Sequence, residues 1–64
     1  MKVKYNKDVD ILYFSFLDDE IFESDENKKG IILDYSKSGN VVGIEFLNAS
    51  KRMSNPAKIE YEFA

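Results

Sequence analysis

Gly30-Ile31-Ile32-Leu33-Asp34-Tyr35-Ser36-Lys37-Ser38-Gly39-Asn40-Val41-Val42-Gly43-Ile44-Glu45-Phe46-Leu47 is the stretch that decides the fold. Two runs rich in β-branched and aromatic residues flank five small or polar ones, the signature of a β-hairpin. Ile31, Leu33 and Tyr35 alternate onto one face, and Val42, Ile44 and Phe46 match them from the returning run. The opposite face carries Ile32, Asp34, Val41, Gly43 and Glu45. Gly39 supplies the positive φ that a tight hairpin loop needs. Gly43, inside a strand, marks a bulge or a close approach by another part of the backbone.

Upstream, Lys2-Val3-Lys4-Tyr5 alternates with period two and reads as a short strand with lysines on its outer side, suited to a sheet edge. Asn6-Lys7-Asp8 turns the chain back. A strand is expected from about Asp10 to Leu17, the longest apolar run. Leu12, Phe14 and Phe16 define one side of it, and Ile11, Tyr13, Ser15 and Leu17 the other. Because both sides are apolar, a terminal segment or a second subunit has to cover the further one. Ile21-Phe22 is expected to open a short strand near residues 21–25, followed by an acidic loop.

Downstream, Asn48 or Ser50 is placed to cap a helix of one or two turns, with Lys51 and Arg52 in its last turn. Pro56 stops it by Asn55. Lys58 to Phe63 alternates strictly, Ile59, Tyr61 and Phe63 against Lys58, Glu60 and Glu62, and is expected to be a strand pairing in its own sheet or a partner's. The expected fold is therefore α+β and mainly β: one domain over residues 1–64, a small antiparallel β-meander of five or six strands with one short helix after the central hairpin.

Three separated blocks resemble one family. Asp10-Ile11-Leu12-Tyr13, Gly30-Ile31-Ile32-Leu33-Asp34-Tyr35 and Val42-Gly43-Ile44-Glu45-Phe46-Leu47-Asn48-Ala49-Ser50 follow the order and spacing of the domain of unknown function 2283 family. The resemblance covers roughly Lys2 to Met53. Ile11 stands where that family usually has Ala, and Ser38-Gly39 replaces its acidic residue before Gly. The resemblance implies a small antiparallel β-rich domain in bacterial and archaeal proteins, with no established activity and no catalytic residues. Its members resemble neighbours of small toxin-like genes, which implies an antitoxin-like or accessory partner role.

Composition narrows the chemistry. The 64 residues contain no histidine and no cysteine, so neither a disulfide nor a Cys/His zinc site is available. No cofactor is expected. A domain this short buries only about 60% of the surface its unfolded chain exposes. Its 4 tyrosines and 5 phenylalanines must supply much of the burial. They are also more than one thin sheet hides, which points to a homodimer or another homo-oligomer, with Tyr13, Tyr61 and Phe63 as candidate interface residues. Twelve acidic against 9 basic residues give a net charge of −3, which disfavours nucleic acid and suits a basic protein partner. With no long apolar segment and no leader-like N-terminus, a cytoplasmic location is expected and no membrane association.

Asp10, Asp34 and Glu45 form the candidate polar cluster. Converging carboxylates perform acid–base work or hold a hard metal, so they define the rival reading of an enzyme. More commonly such residues line a solvated sheet face, and no Ser, Tyr or Lys stands beside an evident base. No metal site and no catalytic residue is therefore assigned. Lys51 and Arg52 form a candidate basic patch, which serves a nucleic-acid-binding dimer only if, with Lys58, it merges with Lys2 and Lys4 across a subunit boundary. The acidic runs Asp18-Asp19-Glu20 and Glu23 to Glu26 lack calcium-loop spacing and read as solvated surface. The first expectation for function is a non-enzymatic protein-interaction module.

Overall fold

The computed structural model describes residues 1–64. The chain forms one five-stranded antiparallel sheet and one short helix. The strands are β1 (Lys2–Asn6), β2 (Ile11–Ser15), β3 (Glu23–Lys28), β4 (Ile31–Tyr35) and β5 (Val41–Leu47), followed by α1 (Ala49–Arg52). The strand order is β1-β2-β5-β4-β3, and every neighbouring pair is antiparallel. The expected small antiparallel sheet with a helix after its hairpin is what forms. Within it, the meander β3-β4-β5 presents β5 to β2, so β5 lies at the centre.

The register follows the period-two pattern. Leu33 faces Ile44 and Ile31 faces Phe46 on one side of the sheet. Leu12 faces Phe46 and Phe14 faces Ile44 on the same side. Val3 and Tyr5 extend this apolar face to β1 through Phe14 and Leu12. The Phe14 and Phe46 rings meet edge to face, with centroids 5.9 Å apart and planes at 83°, the favourable arrangement for two aromatic quadrupoles. Helix α1 closes one end of this face through Ala49, which is completely buried with Leu12 and Val42. Those three are the only fully sequestered apolar side chains, so the core is thin.

Turn chemistry sets the connections. Asn6 Oδ1 accepts the Asp8 backbone N–H at 3.1 Å in the first turn. In the central hairpin, Ser36 N–H donates to Asn40 O and Gly39 N–H to Ser36 O, with Gly39 at φ 90° as the sequence requires. Asp34 pairs with Gly43 but Tyr35 pairs with Val41, so Val42 is the extra residue of a bulge beside Gly43. The carbonyl of Val42 instead accepts Phe16 N–H at 2.7 Å, which ties the end of β2 to the bulge. Gly43 is a close-approach position: a β-carbon there would lie 2.8 Å from the Phe14 carbonyl oxygen and would collide with the Tyr13 hydroxyl.

Four expectations need correction. β2 stops at Ser15, leaving Phe16 and Leu17 outside the strand and exposed. The short strand expected near residues 21–25 forms as β3 at residues 23–28, so its second half takes the place of the expected acidic loop, and every residue of it is exposed. Its side chains show no apolar alternation because it is an edge strand held by its backbone to β4. Asn48 does not cap α1 with its side chain; it takes a left-handed conformation at φ 53° and makes no capping bond. Finally, Lys58 to Phe63 forms no strand. Alternation gives that segment two faces, but a strand exists only when its backbone groups are paired, and neither edge strand pairs with it. Met53 to Glu60 instead borders an open groove against Leu12 and Phe14.

The Gly43→Ala variant is expected to lose about 1–3 kcal/mol, the usual cost of overpacking, because the Phe14 carbonyl is backbone and cannot rotate away. Urea denaturation of the two proteins checks it.

Candidate functional site

Asp10 occupies the turn before β2 with φ 57°, a left-handed conformation that Asp tolerates better than most residues. This geometry brings its backbone and side chain to the start of α1. Its carbonyl accepts Ala49 N–H at 3.0 Å. Its carboxylate accepts Ser50 N–H at 2.9 Å and Ser50 Oγ–H at 2.6 Å, and the Tyr5 hydroxyl at 2.7 Å. Asp10 thus caps the helix from forty residues away in sequence, supplying the acceptor that Asn48 does not. The bonds from Ser50, then that from Tyr5, hold its carboxyl below the usual carboxylate range. The same Asp10 bond, with burial, pushes the Tyr5 phenol up.

Asp34 and Glu45 lie on the other side of the sheet. In register, Ser15, Gly43, Asp34 and Ser24 form one row across the polar face, and Tyr13, Glu45, Ile32 and Glu26 the next. Asp34 is only 5% exposed, and Ser24 Oγ–H donates to its carboxylate at 2.5 Å. Tyr13 lies across the space left by the missing side chain of Gly43. Burial raises the Tyr13 phenol above its ordinary value, and hydrogen bonding to Asp34 and the charges of Asp34 and Glu45 raise it further. Asp10 stands five residues along β2 from the Asp34 row, about 16 Å at strand rise. The three carboxylates do not converge, and no group of three acidic side chains is close enough to hold a metal ion.

Arg52 in the candidate basic patch is spent on the fold. Its Nε–H donates to Leu47 O at 2.9 Å, and its Nη2 donates to Lys29 O. It thereby joins α1 to the β3–β4 turn, and the guanidinium takes the space a side chain at Gly30 would need. Lys51 remains exposed beside it, and Lys58 pairs with Glu60 at 3.4 Å on the surface. Of the candidate interface residues, Tyr13 is half-buried on the polar face, whereas Tyr61 and Phe63 are 82% and 87% exposed.

Three participants escaped the sequence reading. Ser24 lies in an acidic run that reads as solvated surface, so its bond to Asp34 has no signal in the sequence. Tyr5 was assigned to the core alone. Ser50, one of the two residues placed to cap the helix, instead donates to the residue that does. Asp10, as an Asp before a strand, carries no mark of its long-range partner.

A family model described as "Protein of unknown function (DUF2283)" matches residues 2–50, from β1 into α1. Nothing among curated proteins matches the chain, and neither does any solved structure.

Two titrations follow from this geometry. Asp10 has a folded-state pKa below its unfolded value, so the stability it contributes is fully present above the unfolded value near pH 4 and is lost as pH falls through the depressed one. Asp10→Asn is expected to melt at lower temperature than the parent at neutral pH, with the difference shrinking towards acid; thermal melts from about pH 7 to pH 2 check it. For Tyr13 the sign is opposite: its raised folded pKa leaves stability intact below about pH 10 and removes it as pH rises through the folded value. Tyr13→Phe is expected to remove a component that ionises above pH 10 from the absorbance titration.

Proposed function

For this chain, which belongs to the DUF2283 family, we propose the role of a non-enzymatic protein-interaction module. The observation that carries the reading is the exposure of large apolar side chains that a thin sheet leaves in water. Phe22 is 66% exposed and Ile21 52%, and Tyr61 and Phe63 are almost fully exposed. Aromatics of this size are enriched where proteins meet, and their exposure is costly otherwise.

The charge distribution supports a basic protein as partner. Edge strand β3 exposes Glu23, Asp25 and Glu26, and the preceding loop exposes Asp18, Asp19 and Glu20. Phe22 lies between these two acidic groups, so an apolar anchor sits within a field that draws in positive charge. An antitoxin-like or accessory protein, holding a small basic protein by this side, is the concrete form of the proposal. Two of the three carboxylates of the enzyme reading have structural tasks: Asp10 caps α1, and Asp34 accepts Ser24.

Calorimetric titration with the basic products of neighbouring genes tests the reading. Expected is micromolar or tighter binding by one of them, weakened at about 0.5 M salt, where screening is nearly complete. Phe22→Ala is expected to weaken it by roughly tenfold or more, the cost of a truncated aromatic anchor. No binding by any such product at about 100 μM overturns the proposal.

A further inference from the structure

The segment Lys58 to Phe63 has the alternation of a half-buried strand, yet Tyr61 and Phe63 project into solvent, and beyond Lys58, whose N–H donates to Asn55 O at 3.1 Å, its backbone makes no hydrogen bond to the rest of the chain. The sheet has two open edges, β1 and β3, each hydrogen-bonded on one side only. We propose that residues Glu60 to Phe63 of one molecule add as a strand to the β1 edge of a second copy, reciprocally, so that the protein is a strand-exchanged homodimer. The proposal rests on the interaction-module reading and names one partner for it, the chain itself.

Charge and polarity select β1. This strand carries Lys2 and Lys4 on the polar face and Val3 and Tyr5 on the apolar face. The incoming segment carries Glu60 and Glu62 on one side and Tyr61 and Phe63 on the other. Run parallel, one alignment sets Glu60 and Glu62 beside Lys2 and Lys4 and sets Tyr61 and Phe63 beside Val3 and Tyr5; run antiparallel, the alignment that pairs both carboxylates with both ammonium groups sets Tyr61 beside Val3 and Phe63 beside Met1. Lysines on an edge repel most stray strands, and here they admit one whose matching side is acidic. The β3 edge rejects the same segment. From Glu23 to Glu26 it carries three carboxylates, so every alignment there puts a carboxylate beside a carboxylate or an aromatic beside a carboxylate, and the register shift between Glu26 and Lys28 interrupts the strand before its one lysine.

Reach selects a second copy over the molecule's own edge. Ile59 and Glu60 border the groove against Leu12 and Phe14, above the apolar face. A layer packed on a sheet stands about 10 Å from it. The three steps from Glu60 to Phe63 span about 10 Å when fully extended. No β1 residue borders that groove, so reaching the molecule's own β1 edge would consume length the segment needs to run along it. A second molecule brings its own edge to the segment, and a two-fold axis repeats the contact. The exposed Lys58–Glu60 pair is given up on pairing, which costs little for a surface ion pair.

Sedimentation equilibrium over a range of concentrations, with charge-swapped variants, tests the inference. The parent is expected to be a dimer. The double variant Glu60→Lys with Glu62→Lys is expected to raise the dimer dissociation constant by about tenfold or more, through like charges placed opposite one another. Adding Lys2→Glu and Lys4→Glu to that variant is expected to restore the dimer, and Glu23→Lys with Asp25→Lys to leave it unchanged. Circular dichroism confirms folding, and all these positions are exposed. A monomeric parent at about 100 μM overturns the inference. So does a dimer indifferent to the Glu60 and Glu62 changes, one not restored by the swap, or one dissolved by the β3 changes. A monomer that still binds a basic partner overturns only the dimer, whereas a dimer that binds none overturns the heterologous partner proposed above.

Discussion

The ladder between β2 and β5 is the constraint on which the rest of the molecule depends. It is the one set of strand bonds joining the N-terminal hairpin to the meander β3-β4-β5. Forming it requires closing the long connection between these strands, a cost met by non-local contacts. Those contacts are the pairs Leu12–Phe46 and Phe14–Ile44, with the edge-to-face rings of Phe14 and Phe46 across them. Gly43 belongs to the same ladder, since only a residue without a side chain lets Tyr13 and the Phe14 carbonyl come so near. The bulge at Val42 adds the bond that anchors the end of β2.

At the other end of this ladder, polar groups do the joining. Asp10, just before β2, caps the helix that follows β5, so the first turn and the last helix are held as one corner. Arg52 reaches from that helix to the carbonyls of Leu47 and Lys29 and fastens the β3–β4 turn to it. In a domain with three fully buried apolar side chains, such charge-assisted bonds carry weight that a larger core would make unnecessary. This explains why residues that look like chemistry in a list of side chains turn out to be fastenings. It also explains the surplus at the surface: one helix of four residues covers little of a five-stranded sheet, and aromatic side chains remain outside.

Much of the fold was legible. The hairpin, the assignment of Ile31, Leu33, Ile44 and Phe46 to one face, the positive φ of Gly39 and the short helix before Pro56 all arise from interactions within a few residues. Period-two alternation and turn chemistry report such interactions directly. A strand near residues 21–25 was legible but its bounds were not, because the residues of β3, Glu23 to Lys28, bury no side chain; what holds it is backbone pairing with β4, which leaves no mark in side-chain pattern. The candidate site was legible only as a list. Asp34 and Glu45 share a face, as alternation said, while Asp10 belongs to another region through its bonds to Tyr5 and Ser50.

By itself the sequence determined the type of the elements that became β1, β2, β4, β5 and α1, the two faces of the central hairpin, the absence of Cys/His chemistry and the family. Those properties depend on side-chain type and spacing alone. The tertiary structure decided that β5 is central, that Asp10 caps a helix instead of joining two other carboxylates, that Arg52 is engaged, and that Lys58 to Phe63 is not a strand within its own chain. Each of these depends on which distant backbone and side-chain groups are brought within hydrogen-bond reach. Alternation states that a segment is able to pair; only the positions of the open edges decide what it pairs with.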